Sequence, residues 1–281
     1  MPNFLRSALT VGAVAMALST TQATADPVTA LETDLHAKYS GYLGPLKVID
    51  VDLKSIYAPQ TYRSSVRMKS TGFAALFGKF DTAATVTGYT QPKLRPVEFN
   101  HTHTGKKTRS TQVRWTDDTV IATANPPHGN LGNPPASTQQ KLEATDTLTI
   151  LAALTRPGVD LSKACDATYA AFDGKQRYDL TLEPLGPVEI TPNITSAVSG
   201  PGYKCLMRYK EVAGYDEKLD RDEAFRAPIT VWIAEVPGAK HRAIARFEAD
   251  MGWFSAVVKL KQLDHLRPQT SGAQASASLT R

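Results

Sequence analysis

His101 and His103 are separated by one residue. In an extended strand that spacing turns both imidazoles to one face, where zinc could be held if a third ligand arrived from elsewhere in the chain. Paired surface histidines are the commoner arrangement, so no metal or other cofactor is expected, and these two are the weak candidates. Asp173, Lys175, Arg177 and Asp179 imitate an acid/base cluster. Asp173-Gly174 inside a strand pair is first of all a turn, with a glycine placed for positive φ. Asp216, Glu217, Asp220, Asp222 and Glu223 invite a calcium reading, but their spacing matches no EF-hand loop and Lys218 and Arg221 stand among them. The sequence contains no serine-hydrolase elbow, Ser-x-x-Lys pair, paired-histidine zinc helix, P-loop or dinucleotide fingerprint. Catalytic residues are therefore assigned to no position, and the chain is read as leaning away from an enzyme.

Charge is arranged more suggestively than nucleophiles are. Arg63, Arg67 and Lys69 alternate with apolar residues along one run, and Lys204, Arg208 and Lys210 do so along another. If these strands are neighbours, their wet faces make a basic patch suited to lipid head groups or cell-wall carboxylates; solvated charge on a sheet face is the simpler account. Arg177 and Trp232 complete the candidate binding set.

Positioning such residues requires a framework, and the N-terminus says where it is built. Arg6, an apolar run from Ala8 to Leu18 and the small-residue stretch Ala23-Thr24-Ala25 read as a signal peptide over 1–25, cleaved near Ala25. The apolar run is shorter than the roughly 20 residues that span a bilayer, so an integral membrane protein is not expected. Export to the periplasm follows, with a single β-rich domain over 26–264 and a patternless, disordered tail over 265–281. The two cysteines of an exported chain, Cys165 and Cys205, are expected to form a disulfide. The alternative of a reactive thiol needs a nearby base, and neither cysteine has a histidine close in sequence. The formal charge of +5 is far from a nucleic-acid signature, and no nucleic acid is expected.

Period-two alternation dominates the mature chain. Thr29 to Lys38 is read as one short helix carrying Leu31 and Leu35 on one face. Ile49-Val51-Leu53 and Tyr62-Val66-Met68 then form a hairpin, and further strands are expected over 80–89, 97–103, 108–115 and 119–124. Gly72 to Gly78 is a short apolar plug, assigned to the core or alternatively to membrane dipping. The proline- and glycine-rich run Asn125 to Gln139 marks a long exposed loop. Thr145 to Leu154, apolar on nearly every side and led by Asp146 as N-cap, predicts a buried helix. Alternation returns at 177–182, 203–210, 229–233, 242–248 and 253–263, and the three tryptophans, Trp115, Trp232 and Trp253, are assigned mostly to the core.

Tyr39 with Gly44, Thr71-Gly72-Phe73 with Leu76-Phe77, Arg95-Pro96, Asp146 with Leu148-Thr149, Asp173 to Tyr178, Cys205 and Trp232-Ile233-Ala234 occur in an order that resembles the bacterial domain-of-unknown-function 3108 family, in its alpha-proteobacterial form. The run Asp146-Thr147-Leu148-Thr149 departs from the usual Asp-Pro-Leu-Ser form. The resemblance implies a mainly β fold, a single antiparallel, strongly curved sheet forming an open barrel or β-spiral around one buried helix, similar to periplasmic lipoprotein-carrier folds. It brings no catalytic residues. The expected function is that of a non-enzymatic binder of an envelope component, whether lipid, lipoprotein or cell-wall ligand, supporting envelope integrity. The alternative is a hydrolase or transferase acting on cell-wall material or exopolysaccharide.

Overall fold

The computed structural model describes residues 33–216, 227–239 and 241–264; the expected signal peptide and C-terminal tail lie outside them. Successive strands pair as hairpins. The first meander comprises β1 (Thr33–Leu43), β2 (Leu46–Tyr57), β3 (Thr61–Ser70), β4 (Asp81–Tyr89), β5 (Arg95–Thr104), β6 (Arg109–Trp115) and β7 (Val120–Asn125), with α1 (Ala74–Phe77) between β3 and β4. A helical crossover comes next, made of α2 (Thr138–Leu142), α3 (Thr147–Thr155) and α4 (Leu161–Ala164). The second meander is β8 (Ala167–Phe172), β9 (Arg177–Ile190), β10 (Gly200–Ala213), β11 (Ile229–Glu235), β12 (Arg242–Asp250) and β13 (Ser255–Asp264). β13 pairs antiparallel with β1, which joins the two meanders into one 13-stranded antiparallel sheet with β7 and β8 at its edges. The sheet is curled but not closed.

Alternation explains the curl. Leu35, Ala37 and Tyr39 of β1, Leu53 and Tyr57 of β2, Tyr62 of β3, Val86 of β4, Val113 and Trp115 of β6, Val231 and Ile233 of β11 and Leu260 of β13 are buried together on the concave face. α3 lies within that concavity, touching β3 and β4 of one meander and β8 and β12 of the other. Only a sheet wrapped round the helix allows this. Leu148, Ile150, Ala152 and Leu154 are buried, as a helix apolar on nearly every side must be. Asp146 caps it, accepting from the Thr149 amide at 3.0 Å. Tyr62 and Tyr57 reach from the sheet to Thr149 and Thr155 and fix the helix axially.

The open seam between the edges is filled by the crossover. Trp115 Nε1 donates to the Lys141 carbonyl at 3.3 Å, and Arg177 Nε donates to the Gln140 carbonyl at 3.3 Å, so α2 is held from both sides of the gap. Asn133 and Pro134 exchange backbone hydrogen bonds with Tyr215 and Gly214. Gly132, at φ 86°, approaches so closely that a Cβ there would lie 2.2 Å from the Gly214 carbonyl carbon. The proline-rich segment is thus a fitted strap, and α2, which begins at its C-terminal end and runs beyond it to Leu142, is a helix that the composition concealed.

Several expectations are corrected. Thr33 to Lys38 is strand, because Leu35, Ala37 and Tyr39 bury at period two against β2 and β13. Gly72 to Gly78 does form a helical turn, yet Phe73 and Leu76 are exposed and the segment is no core plug. Trp115 is core and Trp232 half-buried, but Trp253 stands in the β12–β13 turn fully exposed, at 101%.

Candidate functional site

The two basic runs sit on the outer face and do not meet: β2, β1, β13, β12 and β11 lie between β3 and β10. Most of their charge is used locally. Arg67 clasps Asp81, with Nη2 to Oδ2 at 2.6 Å, and Lys69 approaches the same carboxylate at 3.7 Å. Arg208 donates to Glu183 at 2.7 Å. Lys204 and Arg246 flank the Trp232 ring at 5.0 and 5.6 Å. Arg63 borders a shallow outer depression with Ile56 and Tyr89, and Lys210 is exposed. Arg177 is buried, 7% exposed, and spends its guanidinium on the Tyr178 and Gln140 carbonyls and on Asp179 at 2.7 Å. It is built into the seam, which leaves little of it for a ligand.

Cys165 and Cys205 are joined, the first at the C-terminal end of α4 and the second in the middle of β10. The bridge passes over β9 and staples the approach to edge strand β8 onto the third strand in.

The concave face holds a different constellation. A cavity of about 1050 Å³ lies between β3–β6, the N-terminal half of α3 and the β8–β9 turn. Its walls are Val66, Met68, Ala84, Phe99, Leu148 and Leu151. His101 and His103 face into it, because they share the inward parity of Phe99 on β5. Phe99 stacks on His101 with ring centroids 6.4 Å apart, and His103 Nδ1 bonds Thr82 Oγ1 at 2.8 Å. Among the described residues no group of three or more His, Cys, Asp or Glu is arranged to hold a metal.

The polar end of the cavity is formed by Lys107, Arg109, His128, Asp173 and Lys175. Arg109 shares the inward parity of Thr111, Val113 and Trp115 on β6. Its Nη1 donates to His128 Nδ1 at 3.0 Å. A guanidinium has no acceptor, so the imidazole nitrogen must be the unprotonated one and the ring proton rests on Nε2. Burial, then the neighbouring Arg109 and Lys175 charges, lower the His128 pKa and keep the ring neutral. Burial likewise lowers His101. Arg109 Nε and His128 Nε2 are both buried and without a hydrogen-bond partner among the described residues. Two buried N–H donors lacking acceptors are costly, roughly 1–3 kcal/mol each, unless something supplies an acceptor. Asp173 does not: its carboxylate accepts from the Lys175 and Gln176 amides at 2.9 and 2.7 Å. Lys175 reaches Asp216 at 3.2 Å.

Arg109 and His128 were not among the expected site residues. An arginine on the dry parity of a strand was the available signal for the first. A lone histidine in a proline-rich loop gave none for the second.

Fold and site together define an open, curled β-sheet protein wrapped round an internal helix, with a ligand-sized apolar cavity whose polar end offers donors. The chain belongs to the family described as protein of unknown function DUF3108, whose model matches residues 38–261. Among solved structures, it is similar to a beta-barrel-like protein of domain of unknown function DUF1849 from Brucella abortus, at 12% identity and a TM-score of 0.44, covering 84% of this chain and 98% of that one. A lipoprotein candidate from Parabacteroides distasonis is matched at 12% identity and a TM-score of 0.26, over 84% of this chain and 96% of that one. No curated protein matches.

Proposed function

We propose that this is an exported, non-enzymatic protein that binds an amphiphilic envelope component, with the apolar chain in the concave cavity and an anionic head group at its polar end. The observation that carries this reading is the cavity itself. It has the size of a small-molecule site, a dry wall of Val66, Ala84, Phe99, Leu148 and Leu151, and a polar end lined by Lys107, Arg109, His128 and Lys175. Lys107, Arg109 and Lys175 outnumber the carboxylates Asp173 and Asp216 there, which favours an anion. Cleavage near Ala25 would release the domain into the periplasm, where the disulfide is maintained and lipids, lipoproteins and cell-wall components are at hand.

The test is native mass spectrometry of protein taken gently from a periplasmic extract, followed by denaturation and identification of what is released. A stoichiometric amphiphile is expected. A bare chain that also fails to bind a fluorescent fatty acid would overturn the reading.

A further inference from the structure

We propose that the end of the molecule bearing the polar end of the cavity docks on the surface of a lipid bilayer, inserting Leu43, Leu46, Phe73, Leu76, Trp253 and Phe254. All six are large, apolar and exposed, Leu76 to 78% and Trp253 to 101%. Leu43 ends β1 and Leu46 begins β2, Phe73 and Leu76 lie in the β3–β4 connection and Trp253 and Phe254 in the β12–β13 turn, and the antiparallel order of the sheet sets all three places at one end. Hydrogen bonds hold them side by side. The Gly44 amide donates to the Ser255 carbonyl at 3.0 Å, the Thr71 amide to Val48 at 2.9 Å and the Phe73 amide to Lys47 at 3.2 Å. Isolated exposed apolar residues are ordinary on any protein surface, whereas a contiguous group of this size marks an interaction site.

The shape of the group selects its partner. These residues are spread over two turns and one pair of strand ends and do not share one strand or helix face, so they suit a soft, deformable apolar phase. An indole at an outermost point is the side chain that bilayer interfaces favour. Lys79, Lys106 and Lys107 are exposed on the neighbouring β3–β4 and β5–β6 connections, where Gly105 lies against Phe80, and they have the right sign for phosphate head groups. Of the carboxylates at this end, Asp50 and Asp81 are engaged by Lys47 and Arg67, and Asp250, exposed beside the β12–β13 turn, accepts from the Gly252 amide at 2.8 Å, so of these three only Asp250 lacks a cation partner among the described residues. The β5–β6 and β8–β9 turns that line the cavity lie at this same end. Docking there would set the cavity against the phase from which an amphiphile comes. The inference goes beyond the binding function and stands or falls separately from it.

Protein recovered from its own cells is mixed with vesicles of phosphatidylethanolamine and phosphatidylglycerol, then assayed by co-sedimentation and by quenching of tryptophan emission with brominated lipid. Co-sedimentation with strong quenching is expected. Trp253→Ser combined with Leu76→Ser should weaken vesicle binding by roughly ten-fold or more, and Trp253→Phe should abolish most of the quenching while leaving sedimentation largely intact. Neither side chain is buried, so the melting temperature and the binding of a soluble fatty acid should not move. Failure to sediment, equal binding by the Ser variants, or concentration-dependent dimerisation abolished by those same variants would each overturn the proposal.

Discussion

Arg109 Nη1 donates to His128 Nδ1 across a connection in which strand β6 and the proline-rich strap meet at the edge of the cavity. The bond fixes the histidine tautomer and leaves two N–H groups without acceptors among the described residues. Arg109 also brings a positive charge to the lining of the cavity, so Arg109→Gln should weaken binding of a fluorescent fatty acid by about ten- to a hundred-fold, the range set by a charge-assisted hydrogen bond. The matching fatty alcohol should bind both forms alike. A loss that is equal for acid and alcohol would place the effect in the cavity shape and not in the head-group contact.

Asp146 is fully buried, and burial pushes its pKa up to about 6 from an ordinary 3.8 despite the hydrogen bonds it accepts from Thr149. Between those values the folded protein holds a proton that the unfolded chain has released, so this group makes stability fall as pH rises from about 4 to about 6 and contributes nothing further above that. The change is on the order of 3 kcal/mol. Asp146→Asn keeps an acceptor at the cap and removes the titration. Urea melts at pH 4 and pH 7 should show the parent losing this increment relative to the variant; parallel pH profiles would show that the carboxyl is not perturbed.

Breaking the Cys165–Cys205 bridge, which closes a separation of 40 residues, should cost about 4 kcal/mol in the chain-entropy account. For a domain of this size that lowers the melting temperature by about 10 °C. Cys165→Ser and Cys205→Ser should behave alike and should match the parent after reduction. Differential scanning calorimetry under oxidising conditions checks this, and an unchanged transition would show that the bridge adds no stability.

Gly174 turns β8 into β9 at φ 104°, and a Cβ there would stand 2.4 Å from Thr111 Cγ2 on β6. Gly174→Ala should destabilise by about 2 kcal/mol, partly from the backbone and partly from the clash. Adding Thr111→Ser removes the offending methyl and should recover the second part only, a coupling that denaturant melts of the four-member mutant cycle would measure.

The framework was legible because burial on one face of a sheet imposes period two. The hairpin of β2 and β3, the first meander and the helix behind Asp146 all derive from that rule and from its opposite, an apolar segment with no wet side. The same parity turns His101 and His103 to one face of β5. β1 is ambiguous in sequence because Leu31 and Leu35 fit a helix as well as a strand, and it is pairing with β2 on one side and the distant β13 on the other that decides. Neighbourhood was the missing information elsewhere too. Alternation tells which way Arg63 or Lys204 points but not that five strands separate them, nor that α2 claims Arg177. Trp253 shows the converse: an aromatic residue was assigned to the core on its chemistry alone, when its place at a turn tip decides its exposure.

β1 lies mid-sheet, paired on one side with β2 and on the other with β13, the last strand of the sheet in chain order. Each meander assembles from local hairpins, but the two halves cannot be joined until β13 has been made. Until β13 is in place, β1 presents an unpaired edge of the kind that recruits other chains. The disulfide offers no protection, since both cysteines belong to the later half. A helper that shields strand edges during production, or a permuted gene that encodes β13 directly ahead of β1, would address this exposure.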